Sequence, residues 1–114
     1  MIKKIILDTS FLVSCVKYKI DLKSEIENLI GKFEVILPQQ VMKEIKRKKM
    51  DKFLEELNYN ITKIKAKNAD ESIIKLAEKN NYFVATVDKK LRSYLKNKKI
   101  KTFYIRNFSK VCLE

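Results

Sequence analysis

The sequence predicts an α/β fold: a three-layer α/β/α sandwich with a mostly parallel central sheet. Three observations predict it. Short apolar runs of strand length alternate with segments whose apolar residues recur at helical spacing. The order is strand, helix, strand, helix, and strands separated by helical crossovers pair in parallel. The 114 residues, 46% hydrophobic and 35% charged with one Gly and one Pro, have a globular composition and the length of one domain, residues 1–114.

Each element follows from its residues. Lys3 to Leu7 is an apolar run bounded by charge, ending in Asp8-Thr9-Ser10, after which Phe11, Leu12, Val13 and Val16 have helical spacing. Ser24 with Glu27 resembles a capping box for a second helix carrying Ile26, Leu29 and Ile30, with Gly31 as its stop. Phe33 to Leu37 is a strand candidate, and Pro38 suits the first position of a helix carrying Val41, Met42 and Ile45. A lysine-rich turn follows at Lys46 to Lys49, then a short helix around Phe53, Leu54 and Leu57, and a weak strand from Ile61 to Ile64. Asn68-Ala69-Asp70-Glu71 opens a helix bearing Ile73, Ile74, Leu76 and Ala77, stopped by Asn80-Asn81. Tyr82 to Val87 reads as a strand, Asp88 caps a helix carrying Leu91 and Leu95, and Ile100 to Ile105 supplies the final strand.

Composition narrows the function classes. Lys and Arg number 26 against 14 Asp and Glu, a formal charge of +12 that favours a polyanionic partner. An anionic membrane would need an amphipathic helix with a broad apolar face, which no segment clearly supplies, so a nucleic acid is the expected partner. No apolar run approaches the roughly 20 residues that span a bilayer, and the N-terminal run meets Asp8 too early for a signal peptide, so a cytoplasmic location is expected. Cys15 and Cys112 lie among apolar neighbours and lack zinc-site spacing; free thiols are expected. The chain contains no His, the commonest general base and transition-metal ligand, so hydrolytic chemistry here must rest on carboxylates and a hard cation.

Four acids stand where that chemistry could assemble: Asp8, Glu44, Asp70 and Asp88. Singly, each has a plain explanation. Asp8, Asp70 and Asp88 all fall where a helix begins and suit N-caps, and Glu44 suits a solvated position paired with Lys48. Jointly, an α/β fold brings strand ends and helix starts to one edge of the sheet, where ligands bind. Carboxylates gathered there repel one another unless a cation neutralises them. An oxygen-only donor set suits Mg²⁺ or Mn²⁺, and with phosphate as a further ligand that is phosphodiester chemistry.

In this setting the chain resembles the PIN-domain nucleases along essentially its whole length. The resemblance lies in the strand ending in Asp8-Thr9-Ser10, in Val41-Met42-Lys43-Glu44-Ile45, in Ala69-Asp70-Glu71-Ser72-Ile73-Ile74 leading to Leu76-Ala77, and in Val84-Ala85-Thr86-Val87-Asp88-Lys89-Lys90-Leu91. It implies a parallel sheet flanked by helices, a Mg²⁺ or Mn²⁺ site and hydrolysis of single-stranded or structured RNA. It maps Asp8, Glu44, Asp70 and Asp88 onto the family's acidic positions, as catalytic and metal-binding residues, and Ser10 and Thr86 onto its hydroxyl positions, with Glu71 as a possible helper to Asp70. The branch stays open between toxins of VapC type, which have an antitoxin partner, and PIN proteins related to ribosomal RNA processing. A homodimer is the expected oligomer.

Lysines cluster around two of the acids: Lys43, Lys46, Arg47, Lys48 and Lys49 beside Glu44, and Lys89, Lys90 and Arg92 after Asp88. Lys46, Arg47, Lys89 and Arg92 are the candidate RNA contacts, although a charge run also suits a plain solvated face. Tyr82, Phe83, Phe103, Tyr104 and Phe108 could stack on bases, but most lie in strand-like segments and suit the core. Two other readings compete. One is a catalytically inactive, basic RNA-binding module on the same fold. The other is phosphotransfer, which fits poorly: an aspartate phosphatase needs a second Asp where Ser10 stands, and a receiver needs its acceptor where Pro38 ends the second strand.

Overall fold

A computed structural model describes residues 2–114. β1 (Lys3–Leu7) is followed by α1 (Thr9–Lys17) and α2 (Leu22–Ile30), and β2 (Phe33–Pro38) by α3 (Gln39–Arg47) and a 3₁₀ turn at Asp51–Leu54. Then come β3 (Tyr59–Thr62), α4 (Ala69–Asn80), β4 (Phe83–Ala85), α5 (Lys89–Asn97), β5 (Thr102–Arg106) and β6 (Lys110–Leu113). They build one six-stranded sheet in the order β3-β2-β1-β4-β5-β6. Every pair is parallel except β5–β6. No helix among the described residues is long and apolar enough to cross a membrane.

Strand composition explains this order. Ile5, Ile6 and Leu7 are at most 1% exposed, and Val35, Ile36 and Leu37 are likewise buried. Strands apolar on both faces belong in the middle of a sheet covered on both sides. Tyr59-Asn60-Ile61-Thr62 is mostly exposed and forms an edge. The chain moves outward from β1 to β2 and β3, then returns across β1 to β4 and β5. Right-handed crossovers put the helices of these two excursions on opposite faces. The reversal between β1 and β4 is a topological switch point, and the cleft outside the carboxyl ends of those strands is where such folds bind ligands.

The local differences from expectation have identifiable causes. Asp21, not Ser24, caps α2, accepting from the Ser24 backbone N–H at 3.2 Å. Gly31 ends that helix at φ 82° and ψ −159°, a region open essentially only to Gly. Pro38 closes β2 and caps α3, whose first residue is Gln39. The helix around Phe53 shrinks to one 3₁₀ turn, in which only Leu54 is buried. β4 is three residues, not six, because the backbone turns to side-chain partners beyond it: Val87 N–H donates to Ser10 Oγ at 3.4 Å and Asp88 N–H to Thr86 Oγ1 at 3.1 Å. β6 is an addition. It folds back on β5 through Asn107 and Phe108, at φ 53° and 56°, without the Asn-Gly pair that usually signals such a hairpin. Both cysteines are free, and burial, reinforced by the charge of Glu25, pushes the Cys15 thiol up to about 12.

Candidate metal and active site

At the switch point the chain leaves β1 at Asp8. Its backbone N–H donates to Ala85 O at 2.9 Å, joining the ends of β1 and β4. Asp8 occupies the N-cap position of α1, yet its side chain makes no capping bond. Its Oδ2 instead accepts from Ser10 Oγ at 2.7 Å and from Thr86 Oγ1 at 2.6 Å. Thr86 is fully buried and Asp8 is 6% exposed. Each hydroxyl has one proton, and both are committed to Asp8; the oxygens are then free to accept the Val87 and Asp88 N–H groups. One carboxylate thus organises the loop that carries the next.

That next carboxylate, Asp88, is a true N-cap: its Oδ1 accepts from Lys90 N–H at 2.9 Å and Leu91 N–H at 3.2 Å. Among the described residues its second oxygen has no hydrogen bond. Asp70 is not a cap. Asn68 holds that position, accepting from Glu71 N–H at 2.8 Å, and Asp70 is the second residue of α4, on a more exposed position. Capping, which would explain all three acids, therefore explains only Asp88. Glu44 lies in the second half of α3, half-buried, with Arg47 Nη2 3.9 Å away in place of Lys48. Glu71 turns aside to Lys75 at 3.0 Å and to the Lys67 backbone N–H at 3.3 Å.

The electrostatics of Asp70 bind these acids together. Partial burial holds its carboxyl above the ordinary range, and the negative charges of Asp8, Asp88 and Glu44 add to the rise. Those three, on three other elements, are therefore the acids whose charge reaches Asp70. No ion pair among the described residues involves Asp8, Asp70 or Asp88, despite the surplus of lysine. As they stand, no three carboxylates, thiols or imidazoles among the described residues are gathered tightly enough to hold a metal ion. The donor chemistry still fits a hard cation: the set is all oxygen, and Mg²⁺ keeps several waters that bridge to outlying carboxylates.

The candidate RNA contacts divide. Lys46 and Lys89 are exposed, and the Arg47 side chain is largely so. Arg92 is engaged inside the fold: it lies 4.2 Å over the Tyr104 ring and 3.5 Å from Glu114. Of the aromatic residues, Phe103 is core and Phe108 is exposed. Gln40 carried no signal in the sequence. It donates through Nε2 to Ile64 O and Ala66 O at 3.1 and 3.4 Å, tying to α3 the connector that delivers Asp70.

A parallel sheet with a switch-point cleft, hydroxyl-anchored Asp8 and three further acids around it defines a class. The chain belongs to the PIN-like domain family, whose family model matches residues 5–107. It is 36% identical over 118 aligned positions to "Ribonuclease VapC4" of Methanocaldococcus jannaschii, the alignment covering 90% of each chain. Among solved structures it superposes on the PIN domain endonuclease Utp24 with a TM-score of 0.83 at 24% identity, covering 97% of this chain and 90% of that one. That structural likeness shows the fold.

Proposed function

We propose that this chain is an endoribonuclease that hydrolyses RNA phosphodiester bonds with Mg²⁺ or Mn²⁺ held by Asp8, Glu44, Asp70 and Asp88. The observation that carries the reading is a concentration of negative charge in a protein of net charge +12, with Asp8, Asp70 and Asp88 in no ion pair among the described residues. Left bare, such a cluster costs stability and would repel phosphate. Similarity to a protein named a ribonuclease supports RNA as the substrate. The similarity to a protein named VapC4 favours the toxin branch, with an antitoxin protein as partner.

The chain's own residues have separable roles in this reading. Ser10 and Thr86 fix the Asp8 carboxylate through Oδ2 and leave Oδ1 without a side-chain hydrogen bond. The α5 N-terminus holds Asp88 by one oxygen and leaves the other free. Asp70 and Glu44 supply charge from the two helices opposite. When bound, the divalent ion lowers the pKa of an attacking water and steadies the leaving oxygen, which is why no histidine is needed. Exposed Lys46, Arg47 and Lys89 hold the phosphate backbone.

The test is cleavage of single-stranded RNA with and without Mn²⁺. The wild-type chain should cleave only with the metal, and Asp8→Asn should fall to background while melting at a temperature near the wild type. Cleavage that persists in EDTA, or that survives Asp8→Asn, sinks the proposal. The wide spacing of the acids favours a second reading, an inactive RNA-binding module. Calorimetry separates the two: a stoichiometric Mn²⁺ site supports the nuclease, and none supports the module.

A further inference from the structure

The turn between β5 and β6 holds a feature that packing does not explain. Ser109 N–H closes it onto Arg106 O at 3.2 Å, and both central residues, Asn107 and Phe108, have positive φ. A turn of this kind takes Gly at its second central position without strain, whereas a bulky aromatic residue there is a genuine outlier. Phe108 is nevertheless 68% exposed. Its one aromatic partner is Tyr18, at the C-terminal end of α1, with ring centroids 5.0 Å apart and planes tilted by 41°. A ring that served only to pin the hairpin to α1 would not leave two thirds of its surface in water.

Cations surround this pair. Lys17 Nζ lies 5.3 Å from the centre of the Tyr18 ring, and Lys19 follows directly. Arg106 and Lys110 are the cross-strand pair that closes the hairpin. All four are exposed, and none takes part in an ion pair among the described residues. Glu25, on α2, accepts instead from the Val111 backbone N–H at 3.0 Å.

The pair also stands at the same edge as the carboxylates. Leu7, Ala85 and Phe103 are level across β1, β4 and β5, and all three strands run the same way. Arg106 lies three residues beyond that level, so the turn rises about 10 Å above the sheet edge at which Asp8 sits. Sideways, β5 is two strands from β1, a further ~10 Å. Exposed aromatic surface with unpaired cations around it is the combination that holds single-stranded nucleic acid: the rings accept bases of any sequence and the cations follow the backbone.

We propose that Tyr18 and Phe108 form a base-stacking platform for single-stranded RNA, a few nucleotides from the bond cut at the carboxylate site, with Lys17, Lys19, Arg106 and Lys110 gripping the flanking phosphates. It rests on the reading of that site as one acting on RNA. The test uses a short single-stranded RNA carrying 2-aminopurine, with all proteins in the Asp8→Asn background so that the RNA stays intact. Phe108→Gly creates the Asn-Gly turn that suits this hairpin, so the fold is kept. It should weaken RNA binding about tenfold and remove the quenching of 2-aminopurine that stacking causes, while Phe108→Tyr preserves both. Unchanged affinity and quenching in Phe108→Gly overturn the platform and leave the nuclease reading standing. A parent protein that binds no RNA overturns both. Unchanged RNA affinity with conversion of a dimer to a monomer in sedimentation overturns the platform in favour of contact with a second copy.

Discussion

Asp70 carries the clearest electrostatic signature of the cleft. Its pKa is raised first by partial burial and then by Asp8, Asp88 and Glu44, so the folded, metal-free protein holds the Asp70 proton more tightly than the unfolded chain does. The sign follows from linkage: this group favours the fold below the ordinary carboxylate value of 3.8, and that contribution is lost as pH rises through the higher folded value. At neutral pH the charge of Asp70 therefore works against the metal-free fold. Asp70→Asn removes one charge from the repelling set without changing its size, and should raise the melting temperature in EDTA at pH 7. The gain should vanish near pH 3, where the wild-type carboxyl is itself protonated. In Mn²⁺ the ranking should invert, since the wild type gains the stabilisation of bound metal and the variant loses it. Thermal denaturation of both proteins under the three conditions checks all of this. A variant that melts below the wild type in EDTA at pH 7 contradicts it.

Helix ends show why so much of the fold was legible and why some of it was not. Three helices close in the same way. After α1, α3 and α5 the residue one beyond the cap is a lysine with left-handed backbone: Lys19, Lys49 and Lys99, at φ 56°, 57° and 61°. In each the next residue, Ile20, Met50 or Ile100, donates its N–H back to Cys15, Ile45 or Leu95. This is the Schellman closure, with its apolar contact intact but without the usual glycine. With one Gly in the chain, the stop signals were hidden in lysine-rich turns, and the turns were read from polarity alone. Apolar periodicity did locate every helix, and Asp8, Asp88 and the Asn68 start of α4 were visible because strand ends and caps leave local marks. What left no mark was long-range: the β6 return through a Phe at positive φ, the Gln40 clamp, and the separation of Asp8 from a capping role, which depends on Thr86, 78 residues away. Left-handed lysines cost about 1 kcal/mol each relative to glycine. Lys49→Gly should accordingly raise unfolding free energy by about 1 kcal/mol, measured in urea at constant m-value. No gain, or a loss, would mean that the Lys49 side chain carries a contact that offsets its backbone strain.

For the molecule as a whole, the +12 charge has at least two sources, and they can be separated. Some lysines sit at helix C-termini, where the negative end of the helix dipole stabilises a cation. Lys98 and Lys99 are of this kind. They precede β5 and so lie at the edge of the sheet opposite the carboxylates, because β5 runs parallel to β1 and β4. Lys89 follows the Asp88 cap, and Lys46 and Arg47, although also in the last turn of their helix, share α3 with Glu44; all three are exposed. Of these two sets only the second should count in a salt titration, together with the cations of the β5–β6 turn. On single strands the logarithm of affinity falls against the logarithm of salt with a slope of about −0.7 per phosphate contact. The three contacts of this set contribute about −2 to that slope, a share of roughly twentyfold in affinity over a fourfold rise in salt. In Asp8→Asn protein, which binds without cutting, Lys89→Ala should make that slope shallower by about 0.7, and Lys99→Ala should leave it unchanged. Arg92, held by Tyr104 and Glu114, should resemble Lys99 in this measurement although it lies close to Asp88 in the chain. Equal effects from Lys89 and Lys99 would show that RNA is held by the diffuse charge of the whole surface and not by the edge at which the carboxylates meet.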